Sequence, residues 1–538
     1  EALSTLLPPP QYDALAGLAA GMTPDEVWAE VSQYLVEGVA PAQVDPDDIS
    51  TAIARTPDQF TLVSGPEELA QILAYPFDAW RIFLHPAQRD IAYRPSYAGP
   101  VMVSGGAGTG KTVTALHRAV FLARRAVPGD PPIVLLTTFT RALAEALERQ
   151  LPLLTDDPEV LDGIEVYNVD RLAYQIVAHA QGKQPRVVDP QVLRELWEQA
   201  AEGTGFSPIF LEREWKQVIL AQDLQELDDY LAARRRGRGR PLTARQKRVV
   251  WAAVQEVTDA LRELDQYTHL QLADLAAQIL DQTGCWGYEH VIVDEGQDLH
   301  PAQWRLLRNL VAPGPNDLFI VADPHQRIYD NHVSLGSLGI NIRGRSRKLT
   351  INYRTTQEIL AWSVSLLTGM APAGLDGKPD DLVSYRSPMH GHRPVIRSCP
   401  DRKTERQQLV EQVSAWLDAG VEPHAIGVAA RNSYLVRMAK AALTEAGIAV
   451  STPAATIADA VRVGSMHAMK GLEFRCVAVI GVDDGTVPAK GAVIPADIDP
   501  IAHEHDLLRE RCLLFVACTR ARDHLYVSYV GDPSPFLP

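Results

Sequence analysis

Residues 105–112 read Gly105-Gly106-Ala107-Gly108-Thr109-Gly110-Lys111-Thr112 and follow directly on the apolar run Pro100-Val101-Met102-Val103-Ser104. This is the pattern G-x-x-x-x-G-K-[ST], placed between a buried strand and a helix that begins near Val113. Glycines in such a loop let successive backbone N–H groups point at phosphate oxygens. Lys111 adds a positive charge for the β- and γ-phosphates, and Thr112 adds a hydroxyl ligand for Mg²⁺. The stretch therefore predicts a binding site for a nucleoside triphosphate.

An acidic stretch far downstream supplies the other half of such a site, where the apolar run His290-Val291-Ile292-Val293 is followed by Asp294-Glu295-Gly296-Gln297-Asp298. Asp294 is the candidate ligand for Mg²⁺, and Glu295 can orient and deprotonate an attacking water. Acidic residues after a strand also occur in solvated loops. A phosphate-binding loop in the same chain favours the catalytic interpretation, with hydrolysis as the reaction.

These two stretches, with others along the chain, resemble the motifs of the UvrD/Rep/PcrA group of superfamily 1A helicases, in that family's order. The further matches are the Q motif (Phe83-Leu84-His85-Pro86-Ala87-Gln88-Arg89), motif Ia (Leu136-Thr137-Thr138-Phe139-Thr140-Arg141), motif Ib (Val166-Tyr167-Asn168), motif III (Val321-Ala322-Asp323-Pro324-His325-Gln326-Arg327-Ile328-Tyr329), motif IV (Asn352-Tyr353-Arg354-Thr355), motif V (Met466-His467-Ala468-Met469-Lys470-Gly471-Leu472-Glu473-Phe474) and motif VI (Val516-Ala517-Cys518-Thr519-Arg520-Ala521). The resemblance covers about residues 81–530.

The resemblance implies a role for particular side chains around ATP. Gln88 would read the adenine edge, since an amide donates and accepts at once, while Tyr353 would stack on the base and Glu473 would take the ribose hydroxyl. Gln326 is the implied γ-phosphate sensor. Arg354 and Arg520 are the implied arginine fingers, whose planar charge suits phosphate oxygens in the transition state. Contacts with nucleic acid are expected from motifs Ia, Ib, III and V, at Phe139, Arg141, Tyr167, Tyr329 and His467.

Composition sets outer limits on the class of protein. The chain has 538 residues, of which 46% are hydrophobic, and this length suggests three or four domains. No apolar stretch approaches the ~20 residues that a membrane span needs. The five cysteines form no C-x-x-C pair, which favours a reducing cytoplasm, and the pairs His390-x-His392 and His503-x-His505 are more typical of surface histidines than of a metal site. Because the chain begins at Glu1, an upstream domain is expected to be missing.

Basic residues are concentrated in one run despite a net charge of −16. Residues 234–248 contain only basic charges, beginning with Arg234, Arg235 and Arg236. Such a run is often a solvated face. Within a helicase-like chain we interpret it as a set of phosphate contacts that position nucleic acid without reading its sequence.

The periodicity of the sequence predicts an α/β fold with two RecA-like parallel sheets. Short apolar runs alternate with helices over residues 81–182 and 268–345, which are assigned to a first domain (1A). Residues 183–267 are helical and charged, like the family's 1B insertion, and residues 346–538 form a second α/β domain (2A). Residues 1–80 have a helical pattern and no motif. ATP is expected between the two α/β domains.

Two departures from the family pattern limit what the resemblance implies. The interval from Arg354 to His467 is too short to include the large 2B subdomain, which is absent or vestigial. Asn331 stands where the family has a tryptophan that stacks on a DNA base, so Tyr329, His332 or Phe139 would have to replace a contact worth ~1–3 kcal/mol.

Three functions therefore remain open from the sequence. The first is an ATP-driven 3′→5′ translocase or helicase that acts as a monomer on single-stranded DNA, with RNA as an alternative track. The second is an ATPase that remodels a protein–nucleic-acid complex such as a stalled RNA polymerase, or that works with a repair or defence factor. The third is a nucleotide-switched binding module, against which the complete motif set argues.

Overall fold

A computed structural model describes residues 84–538, apart from 128–130, 236–237, 240, 285, 330–332, 371, 373, 378–379, 381, 383, 454, 456, 458 and 498. The chain divides into two units, residues 1–87 and 88–538. The helical pattern expected over residues 1–80, and the expectations for Arg236, Asn331 and His332, lie outside the described residues. All that follows concerns the described residues from 84 onward. Below, the first and second α/β units are the parts of this segment that are built on the first and the second sheet.

The strands are β1 (Val101–Gly105), β2 (Val134–Thr138), β3 (Ile164–Asn168), β4 (Arg186–Val187), β5 (Gln266–Tyr267), β6 (His290–Val293), β7 (Leu318–Ala322), β8 (Ser346–Leu349), β9 (Val395–Cys399), β10 (Ile426–Ala430), β11 (Val450–Ser451), β12 (Val461–Ser465), β13 (Phe474–Ile480) and β14 (Ala521–Val530). Many of the strands correspond to apolar runs of the sequence, whereas β4, β5, β8, β9 and β11 do not.

Helices separate most of these strands, as parallel pairing requires. They are α1 (Pro86–Ala92), α2 (Lys111–Ala123), α3 (Arg141–Gln150), α4 (Pro158–Asp162), α5 (Val169–Gln181), α6 (Pro190–Ala201), α7 (Pro208–Glu214), α8 (Leu227–Ala232), α9 (Ala244–Glu263), α10 (His269–Thr283), α11 (Pro301–Asn309), α12 (Gln357–Ser365), α13 (Arg402–Asp418), α14 (Ser433–Glu445) and α15 (Pro500–Cys518).

The first sheet has the strand order β3-β2-β6-β7-β1-β8, with every neighbouring pair parallel. Alternate side chains of a strand point to opposite faces, and here both faces are buried. Met102 packs in a core with α5, α10 and α11, whereas Val101 and Val103 pack in another core with α2. Covering a parallel sheet on both faces leaves its loops at the strand ends as the place for a ligand.

A second parallel sheet follows, in the order β11-β12-β10-β13-β14-β9. Val477 and Val479 face a core that includes α15, while Ala478 and Ile480 face a core that includes α13 and α14. The expected α/β fold with two parallel sheets is confirmed.

The boundary expected at residue 346 is wrong by at least four residues. Strand β8 pairs in parallel with β1, with Met102 opposite Ser346 and Gly105 opposite Leu349, so it belongs to the first sheet. Its first three residues are exposed and polar because β8 is an edge strand. A polar edge strand lacks the apolar run that marks the interior strands.

The helical insertion has its own core, in which Trp197, Trp215 and Tyr230 are buried. Two short strands, β4 and β5, pair at its base and bring its ends together. The described residues between Arg354 and His467 contribute α12, α13 and α14 and four strands of the second sheet, β9 to β12. These strands and helices of the second α/β unit thus account for about half of this interval.

Candidate nucleotide site and nucleic-acid surface

The phosphate-binding loop connects β1 to α2 and is built from Gly105, Gly106, Ala107, Gly108, Thr109, Gly110, Lys111 and Thr112. Gly108 and Gly110 have φ values of 71° and 77°, which side-chain-bearing residues rarely adopt. A Cβ on Gly108 would lie 2.6 Å from Asn352 Oδ1. The loop therefore keeps its backbone bare at the start of a helix, where N–H groups and the helix dipole favour a phosphate.

Lys111 lies buried at the centre of this loop. Its Nζ donates to the Gly106 carbonyl at 2.6 Å and is 3.5 Å from Asp323 Oδ2. Burial would raise the pKa of Asp323, but Lys111 and then His325 more than offset this and hold that pKa below its usual range. The ammonium group is thus held next to the loop by an ionised carboxylate that belongs to motif III.

Thr112 and Asp294 lie together, as the sequence predicts for two Mg²⁺ ligands. Thr112 Oγ1 donates to Asp294 Oδ2 at 3.0 Å, which joins the start of α2 to the end of β6. Burial, and then the neighbouring Glu295, raises the pKa of Asp294 to about 7. A hydroxyl and a carboxylate are the oxygen donors that Mg²⁺ takes from proteins alongside substrate phosphates and water, so the residues fit that ion.

Glu295 adopts a left-handed backbone conformation, with φ 56° and ψ 38°. Its carboxylate accepts from Gln297 Nε2 and lies 3.4 Å from Lys470 Nζ. Burial would raise the pKa of Glu295, but Lys470 and Lys111 outweigh it and keep that pKa below its ordinary value. Glu295 is therefore ionised at neutral pH, as a general base must be.

Gln326 connects the two sheets. Its Nε2 donates to Asp323 Oδ2 at 2.6 Å, and its Oε1 accepts from Arg520 Nη2 at 3.1 Å. Arg520 is 2% exposed and also donates to the carbonyls of Val516 and Leu472. A chain of contacts thus runs from Lys111 through Asp323 and Gln326 to Arg520, out of the first α/β unit and into the second.

Motif IV contacts the phosphate-binding loop directly. Asn352 Nδ2 donates to the Ala107 carbonyl at 2.8 Å, and the backbone N–H of Tyr353 donates to the Gly108 carbonyl at 2.9 Å. Tyr353 is 37% exposed. Arg354 forms an ion pair with Glu473. The candidate base, ribose and arginine-finger residues therefore gather at the edge of one loop.

Gln88 is buried beside the loop, on α1. Its Nε2 donates to the Thr109 carbonyl at 2.8 Å. A Cβ on Gly110 would clash with this amide. This is a second reason for glycine at that position, besides its positive φ.

Three polar residues that the motif analysis left without a role complete the network. Lys470 is buried, pairs with Asp298, and donates to the Gln326 carbonyl at 2.9 Å. Gln297 Oε1 accepts from the backbone N–H of Asp323 at 2.8 Å. The one signal in the sequence was their position inside motifs II and V.

Comparison with known proteins agrees with this architecture. The family described as UvrD/REP helicase N-terminal domain matches residues 84–332, and the UvrD-like helicase C-terminal domain matches residues 443–532. The chain belongs to the UvrD-like superfamily 1 helicases. Members of this family hydrolyse ATP, and this chain is an ATP-hydrolysing enzyme.

Individual relatives are distant in sequence. ATP-dependent DNA helicase UvrD2 of Mycobacterium tuberculosis H37Rv is 23% identical over 590 residues, covering 84% of this chain and 79% of its own. A probable DNA helicase of Mycoplasma pneumoniae is 27% identical, covering 46% of each chain. A solved C-terminal domain of a possible DNA helicase from Lactobacillus plantarum is 21% identical, covers 34% of this chain and 91% of its own, and has a TM-score of 0.24.

Two of the candidate nucleic-acid residues of this UvrD-like chain contact each other, and the others lie apart with neighbours of their own. Phe139 and Tyr329 contact each other, with ring centroids 4.6 Å apart, across motifs Ia and III. Arg141 is exposed and pairs with Glu145, and Arg171 lies 4.5 Å from the centre of the Tyr167 ring. Burial and the nearby Arg431 lower the pKa of His467 to about 4, so His467 is neutral at physiological pH.

The basic run of the insertion is only partly solvent-facing, since Arg234, Arg245 and Arg248 are exposed whereas Arg235 and Arg238 bind a buried carboxylate. Arg235 donates from Nε and Nη2 to the buried Glu214 at 2.5 and 2.7 Å, and Arg238 Nε donates to the same carboxylate at 3.2 Å. The guanidinium groups of Arg235 and Arg238 both bind the buried Glu214 carboxylate, which argues against Arg235 as a contact for nucleic acid; that contact stays a prediction. Arg234 is exposed, and Arg236 lies outside the described residues.

Among the residues that the structure describes, no helix is long and apolar enough to cross a membrane. Nor do their His, Cys, Asp and Glu side chains form a group of three placed to hold a metal ion. His390 instead pairs with Glu358, and His503 Nδ1 hydrogen-bonds to the Ile494 carbonyl.

Proposed function

We propose that this chain is an ATP-driven translocase that moves along single-stranded DNA with 3′→5′ polarity, as a monomer. The observation that carries the proposal is the contact between Gln326 of the first α/β unit and Arg520 of the second, beside Lys111 and Glu295. A group bound to Lys111 would sit where both units contribute charge. Hydrolysis there would alter the contact between the units, and so the spacing of the surfaces that hold DNA.

Each side chain has a defined task in this proposal. Lys111 neutralises phosphate oxygens, and Thr112 with Asp294 would hold Mg²⁺, which supplies further positive charge to the phosphates. Glu295 takes the proton of the attacking water, while Arg520 and Arg354 stabilise the charge that develops in the transition state. Gln88, Tyr353 and Glu473 hold the nucleoside.

The Arg354–Glu473 pair sets an order on these events. Glu473 cannot bind a ribose hydroxyl with full strength while its carboxylate neutralises Arg354. The nucleoside would release Arg354 toward the phosphates when it engages Glu473. Binding and activation would thus be linked through one ion pair.

We assign residues 84–182 and 268–349 to domain 1A, residues 183–267 to domain 1B, and residues 350–538 to domain 2A. DNA is the proposed track because UvrD2 and the Mycoplasma relative are named as DNA helicases. The contact of Phe139 with Tyr329 offers aromatic surface at the junction of motifs Ia and III, where bases would stack.

The test is the steady-state ATPase rate without nucleic acid, with single-stranded DNA and with RNA of the same sequence. We expect strong stimulation by DNA and weaker stimulation by RNA. Displacement of streptavidin from the 5′ or the 3′ end of biotinylated DNA then measures polarity, and 3′→5′ movement displaces it from the 5′ end. Equal rates with and without DNA would contradict the proposal.

A second candidate is an ATPase that remodels a protein–nucleic-acid complex, such as a stalled RNA polymerase or a repair intermediate. It is favoured by the interval between Arg354 and His467, which contributes α12, α13, α14 and four strands to the second α/β unit and is short for an additional duplex-binding subdomain. ATPase stimulation by a stalled polymerase complex, with none by naked DNA, would favour this candidate over the first.

A further inference from the structure

Helix α15 extends from residues that contact the helical insertion, at its N-terminal end, to Arg520 of the candidate nucleotide site, just beyond its C-terminal end. Its N-terminus is capped by Asp499, whose Oδ1 accepts from the Ala502 N–H at 2.9 Å, and its C-terminus lies two residues before Arg520. At 1.5 Å per residue the helix is roughly 28 Å long. Ten of its side chains are buried, so it moves as a rigid rod with the second sheet.

The helical insertion holds this helix near its N-terminus by an ion pair. Arg213 Nη1, on α7, donates to Asp506 Oδ2 at 3.1 Å. Asp506 is 1% exposed and also accepts from the Ile494 N–H and from Arg509. The Arg213 contact is therefore part of a fully buried carboxylate's set of partners.

A backbone contact lies about two turns further toward the start of the helix, at its N-cap residue. The N–H of Gly239 donates to Asp499 Oδ1 at 3.0 Å. A Cβ on Gly239 would lie 2.6 Å from that oxygen and 2.9 Å from Ile501 Cβ, so a larger residue cannot approach as closely. Arg235 and Arg238 anchor this segment to Glu214 inside the insertion.

The insertion is also fastened to the first α/β unit. Arg305 on α11 donates to the carbonyls of Ala221 and Leu220 at 2.9 and 2.8 Å, and His300 Nε2 is 2.9 Å from the Lys216 carbonyl. The insertion therefore contacts both units that contribute to the nucleotide site.

From these contacts we propose that Arg213 and Gly239, with Asp506 and Asp499, are positioning residues for Arg520. We call the two contacts the latch. By tying α15 to the insertion, and the insertion to the first unit, the latch favours the arrangement in which Arg520 reaches Gln326. Opening the nucleotide site to release a product requires the latch to break. The inference rests on the proposed use of this site for ATP.

The test is the rate at which a fluorescent ADP, mant-ADP, leaves the full-length chain when chased with excess ADP. Gly239→Ala removes the close approach of the Gly239 backbone to Asp499. Arg213→Gln removes the ion pair with Asp506 and leaves the segment around Gly239 unchanged. Each should release mant-ADP roughly threefold to tenfold faster, the effect of losing about one hydrogen bond. Arg213→Lys keeps a cation and should release it at close to the wild-type rate.

The matched control is Gly314→Ala, because Gly314 has an ordinary φ and its Cβ would meet nothing closer than 4.0 Å. Faster release by both latch variants, at a thermal midpoint equal to that of the control, supports the latch. Wild-type or slower release by Arg213→Gln overturns it, whether or not Gly239→Ala folds. Failure of the wild-type chain to bind mant-ADP would instead contradict the proposed function.

Discussion

At the residue scale, Glu295 combines a left-handed backbone with a carboxylate held ionised by Lys470 and Lys111. A conformation of this kind in a residue other than glycine costs of order 1–3 kcal/mol and persists where the surroundings determine it. Gln297 and Lys470 supply those surroundings through their contacts with the side chain.

Replacing Glu295 by Gln should therefore abolish most hydrolysis while ATP binding is retained. Gln keeps the shape of the side chain and removes the base, so single-turnover hydrolysis should fall by about 100-fold or more. Rapid-quench measurement with excess enzyme gives this rate directly. Glu289→Gln is the matched control, since Glu289 lies exposed immediately before β6, the strand that precedes Glu295. Hydrolysis by Glu295→Gln at the control's rate would remove Glu295 from the mechanism.

Arg234 and Arg235 are neighbours with opposite expected behaviour. Arg235→Gln leaves Glu214 buried with fewer charged partners, at a cost of roughly 1.5–3 kcal/mol for charge-assisted hydrogen bonds. Arg234→Gln changes an exposed side chain and should leave stability unaltered. Thermal unfolding of the two variants side by side measures the difference. Equal midpoints would mean that the Arg235–Glu214 pair does not stabilise the insertion.

The sequence predicted the residues that have a standard motif position and missed those defined by a partner. Lys111, Thr112 and Asp294 lie together as expected, because a P-loop and an acidic strand end constrain each other in any such fold. Lys470 was overlooked because its partner, Asp298, is far away in the sequence. Arg235 was assigned to nucleic acid because nothing in the sequence marks its partner, Glu214, as a buried carboxylate. A charge run alone does not reveal which of its members are buried.

At the scale of elements, His300 connects helix α11 to the insertion. Its Nδ1 accepts from the Ala302 N–H at 3.1 Å, so the proton is on Nε2, which faces the Lys216 carbonyl. Burial lowers the pKa of His300 to about 4. Because the folded pKa lies below the ordinary value of 6.5, the stabilisation is present above pH 6.5 and is lost as the pH falls toward 4.

His300→Asn should therefore make the thermal stability of the protein depend less on pH in the acidic range. Asn keeps an N-cap acceptor for α11 and removes the titrating ring. Its thermal midpoint should lie below that of the wild type at pH 7.5, and the two should converge as the pH falls from 6.5 to 4.5. Parallel curves over that range would show that protonation of His300 does not destabilise the fold.

Interior strands were predicted well, whereas among the edge strands β3 was predicted and β8, β9 and β11 were not. The apolar runs near 133–138, 290–293 and 318–322 are strands of the first sheet, where neighbours on both sides and helices on both faces require apolar residues. Strands β8 and β9 lie at sheet edges and are largely exposed. Exposure on one side permits polar residues, so the periodicity of the sequence carries little signal there.

At the scale of the whole molecule, ATP chemistry and strand separation depend on different parts. The candidate nucleotide site draws residues from both α/β units, with Arg520 contacting Gln326 and Asn352 contacting the phosphate-binding loop. About half of the interval where the family has its 2B subdomain is instead occupied by α12 to α14 and four strands of the second sheet. We infer that such a chain keeps the residues for ATP hydrolysis but has little surface for a duplex.

We therefore expect the isolated chain to hydrolyse ATP rapidly on single-stranded DNA and to unwind long duplexes poorly. In the family the 2B subdomain contacts the duplex, whereas movement along one strand needs only the two α/β units. Asn331 in place of a stacking tryptophan acts in the same direction, since a weaker hold on the bases lowers the force available against paired strands.

The measurement compares DNA-stimulated ATPase with single-turnover unwinding of a ~40-base-pair duplex carrying a 3′ single-stranded tail, a length well beyond the ~4–16-nucleotide footprint of one binding unit. Asn331→Trp is the informative variant, because it restores the ring without adding a subdomain. We expect it to tighten binding to single-stranded DNA and to leave unwinding of the long duplex weak. Efficient unwinding by the unmodified chain would show that other parts, such as the helical insertion, take over the role of 2B.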